Sequence, residues 1–337
     1  MRLRTPRAWY TREGSGFRAG KLGLVPLSWI WAAVTARRLR KASPVDPGVP
    51  VVCVGNLTLG GSGKTPVVRA LAARLQAEGH APHVLLRGHG GVERGPLRVD
   101  PARHTAAEVG DEALMLSAQA PVWVSRDRVA GARAAVAAGA DVILMDDGHQ
   151  NPRLRKTLSL VVVDGETRDD EWPFGDGSVF PAGPLREPLK VGLARADAVI
   201  LLLPADLAEP DPRLLSVLAA KPVILARLAP DAPPPAGPLV GFAGIAKPWK
   251  FERALKAAGA DLVDFAPLPD HAAIPAATLQ FLGSRAAALG ASLITTEKDA
   301  ARLPDAWRAR VAVWTVSVQF PDDAGLAHTL EDALRRP

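Results

Sequence analysis

Val51-Val52-Cys53-Val54-Gly55-Asn56-Leu57-Thr58-Leu59-Gly60-Gly61-Ser62-Gly63-Lys64-Thr65 is the stretch on which the reading of this chain turns. Val51–Val54 is a short β-branched, apolar run, the pattern of a strand buried on both faces. Glycines follow, then Lys-Thr at the start of a segment with helical spacing. Glycines let successive backbone N–H groups turn inward on phosphate oxygens, and the helix N-terminus adds partial positive charge. In such a loop Lys64 reaches the β- and γ-phosphates of a nucleoside triphosphate, and the Thr65 hydroxyl can ligate Mg²⁺. The first glycine of the strict GxxxxGK[ST] pattern is replaced here by Thr58. The candidate ATP-binding residues are therefore Thr58, Gly60, Gly61, Ser62, Gly63, Lys64 and Thr65.

Outward from this loop the chain alternates between apolar runs and helical patterns. The spacing predicts helices over Lys64–Glu78, Asp111–Ala118 and Arg128–Ala138. Strands are expected at His83–Leu86, Val122–Ser125, Val142–Met145, Leu160–Val163 and Ala198–Leu203. Apolar strands separated by helices imply a parallel sheet covered on both faces. After the proline-rich stretch Ala229–Pro238 the alternation resumes, with strands near Leu239–Phe242, Leu262–Phe265, Leu293–Thr296 and Val311–Val316, and helices near Trp249–Ala258 and Ala276–Leu289. The fold class expected is α/β: a P-loop NTPase-like parallel sheet core, a second, smaller α/β lobe and an N-terminal amphipathic, membrane-associating helix. Its divisions are residues 1–45, 46–220 and 221–337.

Composition is that of a globular protein, with 48% hydrophobic and 23% charged residues among 337. Cys53 is the only cysteine, so no disulfide forms within the chain, and a reducing compartment fits. The net charge of +6 is uneven. Residues 1–41 hold ten Lys/Arg and one acid, Glu13, so the rest of the chain is slightly acidic. This argues against a nucleic-acid-binding body and for one basic segment facing an anionic partner. Within that segment Leu22–Thr35 is mostly apolar, but shorter than the ~20 residues of a spanning helix. It is followed by Arg37, Arg38, Arg40 and Lys41. A cleaved signal peptide, a core helix and an interfacial helix compete here. The interfacial reading, with Trp29 and Trp31 at headgroup depth and the basic cluster on anionic lipid, is preferred.

Val142–Met145 ends in Asp146-Asp147-Gly148, an apolar strand closed by two acids. Adjacent carboxylates repel unless a cation lies near them, and Mg²⁺ at the phosphate loop supplies one. Asn-Lys-x-Asp, the guanine-recognition string, is absent. Thr296-Glu297-Lys298-Asp299 has the wrong order, so a GTPase is disfavoured. Gly110-Asp111-Glu112 puts two acids at a helix start, where the dipole favours their charged form. Asp270-His271 lies in a loop of the second lobe.

At these residues the sequence resembles the tetraacyldisaccharide 4'-kinase family. The resemblance runs from about residue 22 to 303 and includes Pro26-Leu27-Ser28-Trp29, Val54-Gly55-Asn56-Leu57-Thr58, Gly60–Pro66, Arg87-Gly88-His89-Gly90-Gly91, Gly110-Asp111-Glu112, Asp146-Asp147-Gly148-His149-Gln150, Pro181–Glu187, Phe242–Ala246, Asp270-His271 and Thr296–Ala300. The family's phosphate loop also carries threonine where Thr58 stands. The resemblance implies ATP- and Mg²⁺-dependent transfer of a γ-phosphoryl group to the 4'-hydroxyl of a tetraacylated disaccharide 1-phosphate in lipid A synthesis, by a peripheral enzyme at the cytoplasmic face of the bacterial inner membrane. It implies Asp111 as base with His271 as its partner. Glu112, Asp146 and Asp147 would organise Mg²⁺ with Thr65, and Asn56, Arg128 and Arg186 would be candidates for substrate contact. The partners expected are a lipid-linked disaccharide and an anionic membrane surface, with no nucleic acid and no partner protein. Two departures stand out: His89 replaces the family's usual tyrosine, and His149 and Asn151 replace an apolar residue and a histidine. Two further classes remain open at this point, a P-loop ATPase that positions proteins at a membrane and a soluble small-molecule kinase or ligase.

Overall fold

The structure, a computed structural model, describes residues 7–11, 18–270 and 272–335. Among these, the strands in chain order are β1 (Val51–Gly55), β2 (Pro82–Leu86), β3 (Leu97–Arg98), β4 (Val122–Val124), β5 (Val142–Asp146), β6 (Leu158–Asp164), β7 (Ala198–Pro204), β8 (Val223–Pro230), β9 (Pro238–Ala243), β10 (Asp261–Pro267), β11 (Ser292–Thr296), β12 (Val311–Trp314) and β13 (Val316–Gln319). They form a nine-stranded sheet in the order β13-β8-β7-β6-β1-β5-β2-β4-β3 and a four-stranded sheet in the order β10-β9-β11-β12. The large sheet is parallel except at its two edges, where β3 and β13 run antiparallel to their neighbours. The small sheet is parallel throughout.

The apolar runs read from the sequence are the centre of the large sheet, and β1, β2 and β5 are buried at every position. Alternate side chains of β1 feed opposite faces. Val52 and Val54 pack with Val68 and Leu71 of the helix Lys64–Ala77. Val51 and Cys53 pack with Ile143, Met145 and Val129 on the other face. Burial pushes the Cys53 thiol up to about 11, which makes it an inert core residue. β1 lies between β5 and β6, from which the sheet grows in opposite directions. Ligands of open α/β sheets sit outside the strand ends at such a point.

The two sheets do not part at residue 220. β8 continues the large sheet, pairing with β7 from Val199↔Val223 to Pro204↔Leu228. The chain crosses to the small sheet at β9. It returns after Trp314, where the run read as a single strand Val311–Val316 breaks: β12 belongs to the small sheet and β13 pairs antiparallel with β8. The final helix, Asp323–Leu334, then packs Leu326 and Leu330 into the core of the large sheet. The C-terminal lobe is thus an insertion between two strands of the larger one, and its last residues are not its own.

Arg18–Lys41 is one helix of 24 residues with Pro26 inside it. One side is tied to the large lobe, with the Ser28 hydroxyl donating to the Val179 carbonyl at 2.8 Å. Leu27, Trp29, Ile30 and Val34 are exposed. Among the described residues no helix is long and apolar enough to cross a membrane.

Candidate active site

The phosphate loop runs from the end of β1 into the helix Lys64–Ala77, as its glycines require. Gly60 and Gly63 both have positive φ, 88° and 79°, where only glycine is unstrained. A Cβ on Gly63 would stand 2.3 Å from Leu202 Cδ2, so any other residue would also have to displace that side chain. Ser62 is buried, and its hydroxyl has no hydrogen-bond partner among the described residues. A buried hydroxyl left unpaired costs about 1–3 kcal/mol unless a ligand satisfies it.

β5 delivers Asp146 and Asp147 to this loop. The Thr65 hydroxyl donates to Asp146 Oδ2 at 3.4 Å, and Asp146 Oδ1 is buried without a described partner. Burial, with the nearby charge of Glu112, pushes the Asp146 carboxyl up to about 7. Asp147 differs. Its backbone is left-handed, with φ of 53°, and Lys64 Nζ lies 3.5 Å from its Oδ1. Arg186 Nη1 donates to the same oxygen at 2.8 Å. Burial opposes ionisation, but Lys64 and Arg186 outweigh it and hold this carboxyl well below the usual carboxylate range. One acid of the pair is therefore already neutralised by protein cations, and the other is short of a positive neighbour.

Arg186, expected as a candidate for substrate contact, is bonded to the phosphate loop and to Asp147 in this structure. Its Nε also donates to the Thr58 carbonyl at 2.9 Å. Arg128 is buried, bonded through Nη1 to the Ser125 carbonyl at 2.6 Å. Burial pulls its guanidinium down to about 10 against the pull of Asp147 and Asp146. Asn56 is fully buried, and neither polar atom of its amide finds a partner among the described residues.

Gly110 (φ of 92°) turns the chain so that Asp111 opens the helix Asp111–Leu116. Asp111 is buried, and its Oδ1 accepts from the Glu112 N–H at 3.0 Å. The second lobe reaches this acid pair with two cations that sequence reasoning did not single out. Lys298 Nζ lies 3.4 Å from Glu112 Oε1 and 3.7 Å from Asp270 Oδ1. Arg302 Nε lies 3.8 Å from Asp111 Oδ2, while its Nη1 holds the Ala272 carbonyl at 2.9 Å. Burial works against the Lys298 ammonium, but Glu112, Asp111 and Asp270 together raise its pKa. The signal was available: Thr296–Ala300 is a charged string at the end of a buried strand and one of the strings that carry the family resemblance, although no role was drawn from it for Lys298. His271, expected to partner Asp111, lies outside the described residues.

His149 is a core residue. It is 1% exposed, with Nδ1 on the Ser159 hydroxyl and Nε2 on the Gly192 carbonyl, both at 2.9 Å. Burial, with Arg195 and Lys156, lowers it to about 4. His89, by contrast, is exposed.

No three His, Cys, Asp or Glu side chains among the described residues are gathered as a self-sufficient metal site. A hydroxyl and a carboxylate oxygen still short of a partner, beside a loop built for phosphate, fit Mg²⁺, which takes few protein ligands and completes its shell with phosphate and water oxygens.

The family model described as tetraacyldisaccharide-1-P 4'-kinase matches residues 21–335. The chain belongs to that family. It is a phosphotransferase, a kinase of lipid A biosynthesis. A tetraacyldisaccharide 4'-kinase of Phenylobacterium zucineum (strain HLK1) is 64% identical over 326 residues, covering 97% of this chain and 98% of the relative. Another, of Caulobacter sp. (strain K31), is 62% identical over 331 residues, covering 98% and 99%. Among solved structures, LpxK from Aquifex aeolicus in complex with ATP superposes with a TM-score of 0.73 at 25% identity, over 93% of this chain and 99% of that one. The kinase fold thus extends over both lobes.

Proposed function

We propose that this kinase transfers the γ-phosphoryl group of ATP to the 4'-hydroxyl of a tetraacyldisaccharide 1-phosphate, while seated peripherally on the cytoplasmic face of the inner membrane. The observation that carries the reading is the meeting of three groups at one point: the loop with Lys64 and Thr65, the acids Asp146 and Asp147, and the pair Asp111-Glu112 faced by second-lobe cations. The names of the relatives and the ATP complex of the Aquifex structure support the donor and the acceptor.

In this reading the loop N–H groups and Lys64 bind the phosphates, and the buried Ser62 hydroxyl gains a partner there. Thr65, Glu112, Asp146 and Asp147 would hold Mg²⁺, whose charge offsets that of the β- and γ-phosphates. Asp111 takes the proton of the attacking hydroxyl, a role that needs a carboxylate within reach of the acceptor, with His271 as its partner. Asn56 and Arg128 are retained as acceptor-side candidates. Lys298 and Arg302 come from the other lobe, so closure of the cleft completes the site and excludes water. The exposed Leu27, Trp29, Ile30 and Val34 form an apolar strip next to Arg37, Arg38, Arg40 and Lys41. That pairing of apolar and basic surface suits an anionic lipid interface.

The test is incubation of the purified full chain with labelled ATP, Mg²⁺ and an acylated glucosamine disaccharide 1-phosphate. Label is expected on the lipid. ATP consumption that leaves the lipid unlabelled would overturn the assignment and favour a membrane-positioning ATPase.

A further inference from the structure

The segment Asp176–Glu187 is bonded on one side to the N-terminal helix and on the other to the phosphate loop. On the helix side, Lys21 pairs with Asp176. The Ser28 hydroxyl donates to the Val179 carbonyl at 2.8 Å and accepts from the Ala182 N–H at 3.1 Å. The Trp31 ring sits edge-on to Phe180 with centroids 5.0 Å apart, and its Nε1 donates to the Arg186 carbonyl at 3.0 Å. On the loop side, the Leu59 N–H donates to the Pro184 carbonyl at 2.8 Å, and the Arg186 N–H to the Leu57 carbonyl at 2.8 Å. Arg186 is the residue common to both sides. Its carbonyl holds Trp31, and its guanidinium holds the Thr58 carbonyl and Asp147.

Asp147 Oδ1 is contested. Arg186 lies 2.8 Å from it and Lys64 lies 3.5 Å from it. The shorter, charge-assisted bond is the stronger of the two. While Arg186 keeps its place, Lys64 is held only loosely and can turn to a nucleotide. Were Arg186 to slacken, Asp147 would draw Lys64 in and compete with the phosphates for it.

We propose that Arg186 is a positioning residue through which seating of the Arg18–Lys41 helix on lipid tightens nucleotide binding. This rests on the membrane-kinase reading and adds to it a coupling between the surface and the phosphate loop. Trp29 and Ile30 are 70% and 60% exposed, while Trp31, itself 45% exposed, still bonds the segment through its indole N–H. Lipid contact that fixes the helix therefore fixes the Trp31–Arg186 bond. Without it the outward face of the helix has no packing partner among the described residues, and the helix is held on its inner side alone, by the Lys21–Asp176 pair, the Trp31–Phe180 contact and a few hydrogen bonds.

The experiment measures affinity for a fluorescent ATP analogue, by the full chain, with and without vesicles of phosphatidylethanolamine and phosphatidylglycerol that contain no acceptor lipid. Sedimentation is followed in the same samples. The parent is expected to bind the analogue several-fold more tightly with vesicles. Trp31→Phe keeps a ring against Phe180 but loses the N–H donor, and Ser28→Ala cuts the segment at a second point. Both are expected to sediment yet to lose most of the vesicle effect, and in the kinase assay to raise KM for ATP more than they lower kcat. Arg186→Lys, which can face Asp147 but not Thr58 as well, should restore part of what Arg186→Gln loses. The proposal fails if both helix-side variants sediment and respond to vesicles as the parent does. It also fails if the parent sediments and labels the lipid while its ATP affinity ignores vesicles. A parent that neither sediments nor labels the lipid would remove the membrane-kinase reading itself, and this coupling with it.

Discussion

Lys298 of the second lobe stands 3.4 Å from Glu112 of the first. The same ammonium lies 3.7 Å from Asp270, and Asp111 adds to the charge it feels. One cation thus serves three acids drawn from both sides of the cleft. Lys298→Met should leave Glu112 and Asp270 facing each other across the cleft and disfavour closure. It is expected to lower kcat by about tenfold or more, the scale of one preorganised charge in a closed site. KM for ATP should change little, because the phosphate loop is untouched. Asp111→Ala should lower kcat further while ATP still binds. Steady-state kinetics on both variants checks this, and unchanged kcat in Lys298→Met would remove the cation from the closure argument.

His149 stands beside the acid pair in sequence but not in chemistry. Its two nitrogens are spent on Ser159 and Gly192, and its low pKa keeps it neutral at pH 7. His149→Leu would leave a buried hydroxyl and a buried carbonyl without their partner, at about 1–3 kcal/mol. The expected outcome is a lower denaturation midpoint with kcat within about twofold of the parent at a temperature where the variant is folded. A large loss of kcat in fully folded His149→Leu would give this histidine a part in the reaction.

The centre of this protein is written locally and its edges are not. β1, β2 and β5 are buried on both faces, so they read as continuous apolar runs, and the loop after β1 carries its own chemistry in Gly60–Thr65. β8 was missed because it is only partly buried and mixes Arg227 into its run, next to a proline-rich stretch. β13 was fused with β12 because nothing in Trp314-Thr315-Val316 marks a change of sheet; only the pairing of Val316 with Pro230 does. Asp146 and Asp147 were placed correctly at a strand end, but their pKa values move in opposite directions through groups distant in sequence: against burial, Lys64 and Arg186 pull Asp147 down, while burial and Glu112 push Asp146 up. The same holds for Lys298 and Arg302, whose meaning comes from the lobe they face.

The junction between the lobes should be acid-sensitive. Asp164, at the end of β6, pairs with Lys247 at 2.8 Å and with Lys250. Burial opposes its charge, but these lysines outweigh it and hold the carboxyl far below the usual range. Glu166 is likewise buried, and its bonds to Arg168 bring it down to about 2. A carboxyl depressed in the folded state contributes stability that is fully present above its unfolded pKa, about 4, and lost as pH falls through the folded value. Stability should therefore fall from pH 4.5 toward pH 2, with these two groups contributing at the lobe junction alongside other depressed carboxyls such as Asp147. Asp164→Asn should be less stable than the parent at pH 7 and lose less of its remaining stability over that window. Urea denaturation at pH 7, 4 and 3 checks this, and parallel losses in parent and variant would assign the acid sensitivity elsewhere.

The exposed strip of the N-terminal helix can be separated from the site by substitution. Trp29 and Ile30 are both well exposed, and no hydrogen bond or ring contact ties either to the large lobe among the described residues. Replacing both with serine removes surface that costs free energy in water and would gain it in lipid, at about 25 cal/mol per Å². Folding should hardly notice, since exposed positions usually shift stability by no more than about 0.5 kcal/mol. Sedimentation with phosphatidylglycerol-containing vesicles should drop strongly for Trp29→Ser/Ile30→Ser. Added salt should weaken it further, as the remaining attraction would come from Arg37, Arg38, Arg40 and Lys41 and is screened over about 10 Å at 0.1 M. A double variant that sediments like the parent at both low and high salt would show that the strip is not what meets the membrane.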